Sequence, residues 1–153
     1  MSLITGYLTS RQKLMWNLKT KGFSEADIAR KLKVTRQTVH KALDIANLKV
    51  YTALQEAARI NKIKIEVIDP ARGILLGFSP DFKTKALITF SVRNGIQVWY
   101  KHEGNCENCD QLQICKEMLF IEAKDRNIQL PESANSMLPS KLAEILFSTI
   151  MGE

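Results

Sequence analysis

The chain has 153 residues, 45% hydrophobic and 25% charged, which suffices for one ordinary domain or two small ones sharing a core and excludes a chain disordered by composition. No run of about 18 apolar residues exists, and the N-terminus lacks the charged-then-apolar layout of a signal peptide, so a soluble, cytoplasmic protein off the membrane is expected. The net charge of +6 is unevenly spread: residues 1–62 carry 12 Lys/Arg against 4 Asp/Glu, whereas residues 63–153 carry 10 against 12. Such asymmetry points to a polyanion-binding part followed by a differently employed one.

In chain order, Thr9-Ser10-Arg11-Gln12 forms a capping box that opens a helix reaching Lys21. Gly22 supplies a left-handed stop, and Ser24 with Asp27 caps a short second helix through about Leu32. Thr35 caps a third, and the absence of Gly and Pro from Thr35 to Lys62 predicts that it runs long. After Lys62 the apolar period becomes alternating. Ile63, Ile65 and Val67 share one strand face, Ile74 to Phe78 reads as a buried strand, and Ala86, Ile88, Phe90 and Val92 alternate. Asn94-Gly95 then predicts a two-residue hairpin before Ile96, Val98 and Tyr100. A helix over about 111–125 follows, and Pro139 opens a last one whose Leu142, Ile145, Leu146, Thr149 and Ile150 form one apolar face.

The expected fold class is α+β: an N-terminal all-α part with a long linking or dimerisation helix, then a small antiparallel sheet of three to four strands with C-terminal helices. The domain boundary is placed between 1–62 and 63–153.

Met15, Trp16, Phe23, Ile28, Leu32, Val34, Val39 and Leu43 are spaced to fill a three-helix core, leaving Thr35, Arg36, Gln37, Thr38, His40 and Lys41 outward. Arg and Gln make bidentate contacts with guanine and adenine, while Arg11, Lys13, Lys31 and Lys33 suit phosphates. An ordinary three-helix unit for protein association is the competing reading, and the localised charge argues against it. The segments Leu8 to Gln12, Lys21 to Ser24, Asp27 to Leu32 and Val34 to Val39 together resemble the helix-turn-helix shared by Tfx-like archaeal regulators, LuxR-type regulators and the promoter-reading end of sigma factors. The resemblance covers the first third of the chain, with the Tfx-like group preferred, and implies specific binding of double-stranded DNA by the helix beginning at Thr35. Lys33 stands where related motifs often carry Gly at the turn.

Val39, Leu43, Ala46, Val50, Ala53, Ala57 and Ile60 recur at spacings of four and three, a seam suited to a homodimer contact or to packing on the sheet that follows. Cys106-x2-Cys109-x5-Cys115 places three cysteines within ten residues, with no other cysteine in the chain. This suits a metal site in a reducing compartment better than a disulfide framework. The spacing resembles the three-cysteine part of iron–sulfur sites in oxygen-sensing regulators of the cyclic-AMP receptor superfamily and in iron–sulfur-stapled nucleases, which draw a fourth cysteine from elsewhere. A [4Fe-4S] cluster with His102 or Asp110 as fourth ligand or with an open iron, a [3Fe-4S] cluster, or zinc on three Cys and His102 all remain open. Iron–sulfur is favoured, because zinc sites more often use two close pairs. A redox, oxygen or nitric oxide sensor is the resulting expectation, with a purely structural zinc or an effector pocket lined by Phe78, Trp99 and Tyr100 as alternatives. No catalytic activity is expected, since the chain lacks a Gly-rich phosphate loop, a nucleophile elbow and a Cys-x3-Cys-x2-Cys run.

Overall fold

In the computed structural model, which describes residues 8–101 and 106–152, the capping box at Thr9 is closed in both directions. Thr9 Oγ1 accepts from the Gln12 amide at 3.2 Å, and the Thr9 amide donates to Gln12 Oε1 at 3.0 Å. Two otherwise orphaned amides are thereby satisfied, and helix α1 (Ser10–Thr20) starts there. Helix α2 (Glu25–Leu32) is capped by Ser24, whose Oγ accepts from the Asp27 amide at 3.1 Å. Lys33 ends α2 in the left-handed region, at φ 55° and ψ 47°, with the backbone turn that a Gly would take without steric cost. Helix α3 (Arg36–Ile60) follows from its Thr35 cap for 25 residues, a length of about 37 Å.

One side of α3 is buried along its whole length through Val39, Leu43, Ala46, Val50, Leu54 and Ala58. These residues join one core with Met15, Trp16, Leu18, Ile28 and Ala29 of the helices and with Ile63, Leu75, Ala86 and Ile88 of the sheet. Phe23, expected in that core, is instead 37% exposed, with Lys31 Nζ 5.3 Å from its ring centroid. Four of the seam residues read as a dimer contact, Val39, Leu43, Ala46 and Val50, are used inside the chain. Ala53 and Ala57 are half-buried, and Ile60 is 66% exposed. Within the chain, α1 and α2 as well as the sheet that follows pack on α3.

Strands β1 (Lys64–Asp69), β2 (Ile74–Ser79), β3 (Thr84–Ser91) and β4 (Gly95–Tyr100) form an antiparallel sheet in sequential order. Alternation holds in the interior, where Ala86, Ile88, Phe90, Ile96, Val98 and Tyr100 contribute to the core. It fails on edge strand β1. The register shifts between Ile65 and Val67, both side chains are about half exposed, and Ile63 and Ile68 face the core instead. The β3–β4 hairpin has three connecting residues, not two: Ser91 pairs with Gly95, whose φ of 68° allows the extra residue at the strand start.

The helices and the sheet belong to one compact unit, Met1–Lys101, and His102–Glu153 forms the second. The boundary expected at 62/63 therefore falls at 101/102. Its physical reason lies in α3 packing on β1, β3 and β4, and in Trp16 of α1 meeting Phe90 of β3 edge to face, with ring centroids 5.0 Å apart. Gly73 admits that contact: a Cβ there would lie 2.6 Å from the Phe90 carbonyl oxygen and 2.9 Å from the Trp16 ring.

The second unit holds a short 3-10 turn at Cys106–Asn108, helix α4 (Leu112–Asp125), a 3-10 segment at Glu132–Ser136 and helix α5 (Pro139–Met151). Helices α4 and α5 pack together. Leu142, Leu146 and Ile150 are the buried stripe of α5, Ile145 is half-buried, and Thr149 is exposed. Among the described residues no helix is long and apolar enough to cross a membrane.

Candidate nucleic-acid interface and cysteine cluster

The first turn of α3 is fixed by Thr35, whose Oγ1 accepts from the Thr38 amide at 3.1 Å and lies 2.8 Å from the Thr38 hydroxyl. Both threonines are thus engaged with each other, and they shape the helix start more than they reach outward. Arg36, Gln37 and Lys41 are exposed on the same turns. The Arg36 side chain is 76% exposed, and its Nε approaches Glu25 Oε2 at 4.0 Å. Lys31 and Lys33 are exposed at the end of α2 and its corner, Arg11 is exposed on α1, and Lys13 is half-buried there. Lys49 Nζ donates to Gln12 Oε1 at 3.0 Å and so ties α3 to the capping box of α1.

His40 is placed differently from its neighbours. Its Nδ1 lies 3.1 and 3.3 Å from the two carboxylate oxygens of Glu25 on α2, and its Nε2 lies 3.4 Å from Asp44 Oδ2 one turn along α3. The hydrogen bond to Glu25, then the charges of Asp44 and Glu25, raise its pKa above the ordinary 6.5. The pairing with Asp44 is readable from the i, i+4 spacing, but Glu25, fifteen residues away, carries no local signal.

In the second unit, Cys106 sits in the 3-10 turn, Cys109 follows it, and Cys115 lies on the first turn of α4, its amide donating to the Gln111 carbonyl at 2.8 Å. All three thiols are free, with Cys109 exposed and the other two half-buried. Burial, then the neighbouring Cys109 and Cys106, push the Cys115 thiol above its usual range. Among the described residues no group of three or more His, Cys, Asp or Glu side chains stands close enough to hold a metal ion, so three thiolates would have to draw together around one. Asp110 is exposed beside Cys109, and His102, the other fourth-ligand candidate, lies outside the described residues.

Of the aromatic residues considered for an effector pocket, Phe78 and Trp99 lie on one face of the sheet and Tyr100 on the other. Trp99 and Tyr100 are consecutive on β4 and point to opposite sides of the sheet: the Trp99 indole N–H donates to Thr89 Oγ1 at 2.9 Å, while Tyr100 meets Phe82 with ring centroids 4.8 Å apart. Phe78 pairs across the ladder with Lys85, on the side opposite Tyr100. The sequence matches no family model and no curated protein, and the fold matches no solved structure.

Proposed function

We propose that the chain is a sequence-specific DNA-binding transcription regulator of helix-turn-helix type, with α3 as its recognition helix and no catalytic activity. The observation that carries this reading is the exposed set Arg36, Gln37 and Lys41 on the first turns of a capped helix, braced by α2 through a left-handed corner at Lys33. In this reading Arg36 and Gln37 read base edges, and Arg11, Lys13, Lys31 and Lys33 hold phosphates. A homodimer on a two-fold site is part of the reading, since such readers gain affinity from two half-sites. With the inner seam of α3 occupied, its outer face, where Ile45 is 50% and Leu48 66% exposed, is the surface left to a second copy.

Selection of duplexes from a randomised pool tests the reading directly, and one enriched motif is expected. Gln37→Ala should then relax preference at one base position by about 1–3 kcal/mol, whereas Lys31→Ala should weaken all sequences alike. Recovery of no motif, with equal affinity for every duplex, would remove the regulator reading.

The second unit is proposed to carry an iron–sulfur cluster on Cys106, Cys109 and Cys115, with zinc as the alternative, and to sense redox state, oxygen or nitric oxide. Its support is the soft donor set of three free thiols within ten residues, on the 3-10 turn, just after it and on the first turn of α4. Anaerobic purification with iron, zinc and sulfide analysis separates the two metals. DNA affinity of the loaded chain should differ from that of Cys106→Ser; equal affinity and equal salt dependence would leave a structural metal without a sensing role.

A further inference from the structure

A neutral imidazole has one N–H donor and one lone-pair acceptor, but both ring nitrogens of His40 face carboxylates, which accept and do not donate. Only the imidazolium satisfies both contacts. Loss of one proton would turn a nitrogen lone pair toward either Glu25 or Asp44. We propose that His40 is a positioning residue rather than a base reader: as the imidazolium it bridges α2 to the recognition helix, and DNA binding by α3 is thereby coupled to proton uptake.

The charged groups acting on the ring are Glu25 from α2 and Asp44 and Arg36 from α3. While the ring is charged, it offsets one of the two negative charges of Glu25 and Asp44, and Arg36 stands 4.0 Å from Glu25. When it is neutral, Glu25 and Asp44 lose that counter-charge and add net negative charge on the turns proposed to face DNA. Arg36, already 4.0 Å from Glu25, becomes the remaining counter-charge for that carboxylate and is drawn from any base edge. DNA phosphates in turn favour the charged ring, so the complex holds the proton more tightly than the free chain. Linkage then makes affinity fall as pH rises, by at most about tenfold per pH unit for one proton.

This inference rests on the DNA-binding reading, and its test keeps the two apart. The chain has two histidines, so the ring resonances of the full-length protein can be assigned with His40→Gln and followed through a pH titration by NMR. The His40 resonance should titrate above the unperturbed range, and Glu25→Gln should return it toward that range. Affinity for the selected duplex, measured from pH 5.5 to 8.5 at constant salt, should fall with pH in the wild type and flatten in His40→Gln. An unchanged pH slope in His40→Gln overturns the coupling. A His40 resonance that does not respond to Glu25→Gln overturns the bridge. A chain whose ring titrates high but which binds no duplex at any pH overturns the DNA-binding reading instead and leaves the bridge between α2 and α3 standing.

Discussion

Lys33 is a residue whose backbone and side chain pull in different directions. An L-residue in the left-handed region costs about 1–2 kcal/mol, which Gly would relieve, while Gly loses roughly 0.4–1 kcal/mol more backbone entropy on folding. The steric relief outweighs the entropy loss, so Lys33→Gly is expected to raise stability by up to about 1 kcal/mol, read as a rise of about 2–4 °C in Tm for a chain of this size. A fall in Tm would mean that the corner owes its shape to the lysine side chain. His40 gives a second expectation at this scale. Its folded pKa is raised, so its contribution to stability is full below the ordinary 6.5 and is lost as pH rises through the folded value. Chemical denaturation should therefore show the wild type losing stability as pH rises above the ordinary 6.5 and through the raised folded value, and His40→Gln should lack that loss. The sequence showed His40 as an outward polar residue on a helix start, which is true, but its partner on α2 depends on how two helices cross. Phe23 likewise reads as core from its type alone. Its exposure follows from its place just beyond the turn at Gly22, where the Lys31 side chain comes over its ring.

At the scale of elements, helix starts were the most legible features because caps are local chemistry. Thr9, Ser24 and Thr35 each accept the amide hydrogen bond that their spacing implies. The seam of α3 was legible as a periodicity but not as a destination. An apolar stripe states that a face is buried and is silent on what buries it, and here α1, α2 and the sheet of the same chain all pack on α3. The edge strand misled for a related reason: period-two alternation assigns a face only while the register is continuous, and the shift between Ile65 and Val67 breaks it. The junction of α3 with the sheet makes a quantitative expectation possible. Leu54 is fully buried in the shared core, so Leu54→Ala should cost about 2–5 kcal/mol through lost transfer energy and the cavity left behind. Urea unfolding should show a lower midpoint with an unchanged slope, followed both by helix signal and by tryptophan fluorescence, to which Trp16 on α1 and Trp99 on β4 contribute. If the two probes separated, the helices and the sheet would be unfolding independently, and the single core described for Met1–Lys101 would not be the cooperative unit.

At the scale of the molecule, moving the boundary from 62/63 to 101/102 sharpens the charge division. Met1–Lys101 carries 18 Lys/Arg against 7 Asp/Glu, a net of +11, and His102–Glu153 carries 4 against 9, a net of −5. The sheet strands thus add to the basicity of the helices, although their own sequence, read with everything C-terminal to it, looked slightly acidic. Under the proposed DNA-binding reading, the division bears on how affinity should depend on salt. Each phosphate neutralised by Lys or Arg contributes about −0.9 to the slope of log affinity against log salt. Arg11, Lys13, Lys31 and Lys33 together give about −3.6 for one copy of the chain and about −7 for two bound on a two-fold site. Between 50 and 200 mM salt, a single copy would lose affinity on the order of 100-fold and a pair on the order of 10,000-fold. Titration of the selected duplex by fluorescence anisotropy at several salt concentrations, with stoichiometry measured at high DNA concentration, separates the two cases. Lys33→Gly should reduce the slope by about 0.9 per bound copy while leaving the preferred sequence unchanged, because a phosphate contact fixes register without reading bases. A slope near zero with sequence preference intact would place the contacts on bases alone, and the concentration of positive charge in Met1–Lys101 would then need a different partner.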